Sequence, residues 1–195
     1  MQSKAHVKIS LFTYILITFI IVGGHSFLEN YGFHLDYTIS RYIGLNTWSA
    51  TLFLATSIFI FVNIMKHLKC LKDTFNMSNF WWIIAIITMV SLLGVGFCPI
   101  GYFDKIYGDF GPVSIVHRIT SSMMFCFSIL LVFMMTLKFR AEKPFFFASL
   151  LYVIYGLTFI TLYMLNSQLL VNNIFIFEAT FLAFFYIVLL FKRER

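Results

Sequence analysis

Six long apolar stretches alternate with short polar segments along the chain, at Ile9–Gly24, Ser49–Met65, Phe80–Phe97, Val113–Leu137, Phe145–Leu165 and Ile174–Phe191. Each approaches or exceeds the ~20 residues that an α-helix, rising 1.5 Å per residue, needs to cross ~30 Å of hydrocarbon. The pattern predicts an all-α, polytopic membrane protein, a six-transmembrane-helix bundle forming a single domain over residues 1–195. No linker, low-complexity tract or charged tail divides it. Pro144 falls where the fifth span should begin, a position at which its missing N–H costs nothing.

Composition agrees with the pattern. At 61% hydrophobic and 11% charged residues, a chain of 195 residues has too little polar surface to face water all round. The basic residues then predict orientation. Lys4 and Lys8 precede span 1, Lys66, Lys69 and Lys72 separate spans 2 and 3, Lys138, Arg140 and Lys143 separate spans 4 and 5, and Lys192, Arg193 and Arg195 follow span 6. Only Arg41, Lys105 and Arg118 fall on the other side. Positive residues stay in the cytoplasm, so both termini and the segments 66–79 and 138–144 are expected inside, and the loops 25–48, 98–112 and 166–173 outside. A multi-pass protein of the cell membrane, of the bacterial inner-membrane kind, is the expected setting. The formal charge of +6 reads as topology plus attraction to anionic lipid, not as a nucleic-acid patch. Gly23-Gly24-His25-Ser26 offers no small-residue cleavage site, so span 1 is expected to remain as a membrane helix.

Helical phase places polar groups on inward faces. Ser114, His117, Ser121 and Ser128 lie within about 60° of one another on span 4. Tyr152, Tyr155, Gly156, Phe159, Tyr163 and Asn166 form a stripe on span 5, and Tyr14, Thr18 and His25 share a face of span 1. The small residues Ser91, Gly94 and Cys98 of span 3 permit close helix approach. Packing and interhelical hydrogen bonding account for such stripes without any ligand. Glu178 is the sharpest residue, because an acid among Phe175, Ile176, Phe177 and Phe181 costs about 2.5–3.5 kcal/mol on insertion scales. His117, Arg118, His25 or Arg41 could pair with it. An outer-leaflet site of His117, Glu178, Arg41, Arg118, His25, Tyr155 and Tyr163 follows as the candidate ligand-binding set. Cys70, Cys98 and Cys126 make neither a disulfide framework nor a zinc or iron–sulfur spacing. The chain lacks the facing His pairs of membrane haem proteins and any HxxxH, GxSxG, Walker or dinucleotide motif, so neither metal nor cofactor is expected.

Taken together, Thr38-Ile39-Ser40-Arg41-Tyr42-Ile43-Gly44 before span 2, Phe97-Cys98-Pro99 closing span 3, His117 opening span 4 and Glu178 within span 6 give a recognisable order. It resembles a bacterial six-helix membrane family of unknown function related to the DRAM, Frag and Sfk proteins. Those relatives carry an Ile-Ser-x-x-Gly-like element ahead of the second span, and the spacing to Gly44 is one residue longer here. The resemblance implies a six-helix bundle with cytoplasmic termini, an association with lipid handling or membrane organisation in eukaryotic relatives, and no established reaction for bacterial members. Four readings stay open: binding of a membrane lipid or amphiphile, assembly with a membrane-protein partner, a lipid-modifying enzyme with His117 as base, and a small proton-coupled transporter with Glu178 as the titrating group.

Overall fold

A computed structural model gives the arrangement of residues 2–28, 33–35, 38–98 and 112–191. Tyr31, Asp36, Tyr37, most of the turn-rich segment 98–112 with Lys105, the side chain of Ser114, and Lys192, Arg193 and Arg195 lie outside the described residues. Eight α-helices and no strand are found among those described. Helix α1 (Gln2–Gly23) runs on into one π-helical turn, Gly24–Leu28. Then come α2 (Ile39–Ile43), α3 (Thr47–Phe75), α4 (Asn79–Phe97), α5 (Pro112–Lys138), α6 (Lys143–Met164), α7 (Gln168–Val171) and α8 (Ile174–Phe191). Five of them (α1, α3, α4, α5 and α6) are long and apolar enough to cross a bilayer, and α8 is a shorter apolar helix.

Expected and observed bounds agree for four spans to within about two residues at each end, the usual scatter of helix ends. The N-terminal half differs. Helix α1 already begins at Gln2, where span 1 was expected from Ile9. The second span was expected to end at Met65, whereas α3 continues to Phe75, so the turn to α4 is only Asn76-Met77-Ser78 and not the segment 66–79. Ile64, His67, Leu68 and Leu71 explain the extension. They recur at helical spacing and are all buried, so the packed stripe outlasts the apolar run while Lys66 and Lys69 stay exposed on the other face. Asn76 then stops the helix in a left-handed conformation (φ 47°), and the Met77 N–H donates to the Lys72 carbonyl at 3.1 Å. Ser78 starts α4 by accepting from the Trp81 N–H at 3.1 Å.

The long helices form a closed ring in chain order. Helix α1 packs on α3, α3 on α4, α4 on α5, α5 on α6 and α6 on α8, and α8 returns to α1. Close approach is built into it: a Cβ on Gly94 of α4 would stand 2.5 Å from Thr120 Cγ2 of α5, and one on Gly156 of α6 would meet Ile129 of α5 at 2.6 Å. Unlike a soluble bundle, this one is apolar outside as well as within, and some polar residues are buried in it. Phe12, Phe19, Ile83, Leu137 and Leu151 are exposed, whereas Ser49, Thr88, Ser91, Ser128 and Thr136 are buried. Thr88 and Thr136 satisfy their hydroxyls on carbonyls four residues earlier, each at 2.8 Å. Tyr152 donates across to Ser128 at 2.9 Å and ties α6 to α5.

Candidate functional site

Helix α2 organises one end of the ring. Five residues form too few hydrogen bonds to be stable alone, so its termini are held from outside. At the N-terminus the Ile39 N–H donates to Glu178 Oε2 of α8 at 2.8 Å. At the C-terminus Ser49 of α3 donates its hydroxyl to the Ile43 carbonyl at 2.8 Å. Tyr42 and Ile43, both buried, point the apolar face of α2 into the bundle. The Tyr42 hydroxyl donates to the His34 carbonyl at 3.1 Å and receives the His34 N–H at 2.6 Å. The acid that stands out in the sequence therefore caps a short helix through its backbone. That partner is invisible to any search for complementary side chains.

Beneath α2 lies a cavity of about 40 Å³, and both His117 and Glu178 line it with Ser121, Ile39 and Leu92. The volume admits one or two water molecules, not a lipid. His117 is buried and its Nδ1–H donates to the Cys98 carbonyl at 2.6 Å, which puts a proton on that nitrogen. Ser121 donates to the Arg118 carbonyl at 3.1 Å. Below this space Leu92, Met124 and Leu182 close the core, and the next void is about 10 Å³.

The other expected site residues stand apart from this cavity. Arg41 is exposed on α2 and its N–H caps back on the Thr38 hydroxyl at 3.1 Å. Arg118 is exposed beside His117. His25 is buried and stacks on Trp48 with ring centroids 5.0 Å apart. Tyr155 bonds to Thr180 Oγ1 at 2.5 Å and donates to the Phe177 carbonyl at 3.2 Å, fastening α6 to α8. Tyr163 is exposed near the end of α6. Two of the seven residues thus meet at one cavity, and five do other work or face outward.

A larger space opens at the seam where the ring closes. Between α1 and α8 runs a groove of about 650 Å³, walled by Tyr14, Thr18, Phe19 and Phe27 on one side and Phe175 and Ala183 on the other. From residue 14 to residue 27 it extends roughly 20 Å along the helices at 1.5 Å per residue. Its wall is almost wholly apolar, and the Tyr14 and Thr18 hydroxyls, one turn apart on α1, are buried behind it. Span 1's shared face of Tyr14 and Thr18 is legible in the sequence; the groove is not, because its second wall comes from the far end of the chain.

No family model, no curated protein and no solved structure matches the chain.

Proposed function

We propose that this protein crosses the membrane six times, keeps both termini in the cytoplasm, and holds a membrane amphiphile in the groove between α1 and α8. The observation that carries this reading is the groove itself. It combines a volume within the range of small-molecule sites with an almost wholly apolar wall that runs along two of the long apolar helices. An acyl chain lies along Phe19, Phe27 and Phe175. Glu178, on the adjoining face of α8, holds α2 over the bundle and so keeps that end of the ring closed.

Six crossings are supported by the place of α8 in the ring and by its 18 residues, which span about 27 Å. The distribution of Lys and Arg supports the orientation. Binding is also the reading that the resemblance to the DRAM-related family favours, through its implied link to lipid handling. Transport has less support, because the polar cavity of His117 and Glu178 is followed by a packed apolar core. Native mass spectrometry of the detergent-purified protein tests the proposal. Wild type retains one lipid copy through gentle activation, and Ala183→Phe, which fills the groove, loses it. Equal and non-selective retention in both overturns it.

A further inference from the structure

The groove between α1 and α8 has a third wall that neither helix supplies. Phe33, from the short segment 33–35, lines it together with Phe27 and Phe175. Its ring meets that of Phe175 at right angles, with centroids 5.5 Å apart and planes at 87°. Phe33 is nonetheless 55% exposed. A ring packed against one neighbour and bare over the rest keeps most of its surface for dispersion contact with an occupant of the groove.

Segment 33–35 belongs to no helix, and it buries little: Phe33 and Leu35 are exposed and His34 is half-buried. Fixing its backbone costs conformational entropy that so little burial does not return. Hydrogen bonds from two other elements hold it instead. The Leu35 carbonyl accepts from the Phe175 N–H at 3.1 Å, one of the first amides of α8 and so without an acceptor in its own helix. The Tyr42 hydroxyl serves both backbone groups of His34, accepting from its N–H at 2.6 Å and donating to its carbonyl at 3.1 Å. Tyr42 is wholly buried, and its ring crosses that of the same Phe175 at 78°, centroids 5.7 Å apart. It belongs to α2, which Glu178 and Ser49 hold at its two ends. One buried hydroxyl thus ties the residue beside Phe33 to the body of the bundle.

We infer that Phe33 is a binding residue of the groove, and that Tyr42 is a positioning residue that reaches the occupant only through it. The inference rests on the reading of the groove as an amphiphile site. The detergent-purified full-length protein is titrated with palmitoyl-oleoyl phosphatidylethanolamine, and native mass spectrometry gives Kd for the first bound copy. Phe33→Ala is expected to raise it about tenfold, the loss of one partly covered aromatic contact. Phe12→Ala, also exposed but outside the groove lining, is expected to stay within about twofold. Tyr42→Phe keeps the buried ring and removes only the hydroxyl. It is expected to raise Kd at least about threefold on its own, and by less than about 1.5-fold in the Phe33→Ala background. An unchanged Kd in Phe33→Ala, with binding still lost in Ala183→Phe, overturns this inference and leaves the groove standing. Equal effects of Tyr42→Phe in both backgrounds, or none in either, overturn the positioning role. Wild-type affinity in Ala183→Phe removes the reading of the groove, and this inference with it.

Discussion

Glu178 shows how one side chain is kept among aromatic neighbours. Placing an acid there costs about 2.5–3.5 kcal/mol, and a hydrogen bond to a charged group returns about 1.5–3 kcal/mol. The two nearly cancel, so Glu178 adds little net stability; what it adds is a fixed position for α2. This distinguishes two substitutions. Glu178→Gln keeps an acceptor for the Ile39 N–H and removes only the acid, so its unfolding free energy in micelles is expected within about 1 kcal/mol of wild type. Glu178→Leu leaves that N–H buried without an acceptor and is expected to cost about 1–3 kcal/mol, with faster hydrogen exchange at Ile39. Equal losses in both variants would show that the charge, not the acceptor, is what matters. Sequence marks Glu178 because an acid in an apolar run is conspicuous. It cannot mark Ile39, whose contribution is a backbone N–H that every residue but proline carries.

At the scale of elements, periodicity is informative where a helix is both apolar and packed, and misleading where those two properties part. Helix α3 outruns its apolar run because His67, Leu68 and Leu71 keep its inner face buried. Helix α2 escapes a periodicity search altogether, since five residues carry no period and exist as a helix through Glu178 and Ser49. Small residues are read more easily. Gly156 sits where α6 meets α5 and α8, and an added Cβ would meet Ile129 at 2.6 Å and Phe181 at 3.1 Å. Gly156→Ala is expected to destabilise the bundle by about 1–3 kcal/mol through overpacking. The neighbouring Leu157→Ala, on an exposed face, should stay within about 0.5 kcal/mol. Denaturant unfolding in micelles compares them, and an equal effect of the two would contradict the close approach of α6 and α5.

The whole molecule is a ring whose ends meet, and its properties at that scale come from closure. Apolar runs carry the long helices, because length and hydropathy act along the chain. They do not carry the α1–α8 seam, because nothing in either helix alone specifies which distant partner completes its wall. For the same reason polar residues from several spans could be gathered into one site on paper, while packing sends Tyr155 to Thr180 and His25 to Trp48. Six crossings predict that reporters fused after Asn166 and after Arg195 lie on opposite sides of the membrane; the same side for both would reduce the count to five.

Cross-linking with a phospholipid that carries a photoactivatable group in its acyl chain tests the central claim most directly. The protein is irradiated in native-like bilayers and the adducts are mapped by peptide mass spectrometry. A bound amphiphile in the groove predicts adducts concentrated on Tyr14 to Phe27 of the first helix and its π turn, and on Phe175 to Ala183 of α8. It also predicts their loss in Ala183→Phe. Adducts spread evenly over outward apolar positions such as Ile83, Leu137 and Leu151, unchanged by that substitution, would reduce the groove to ordinary lipid-facing surface and contradict the account.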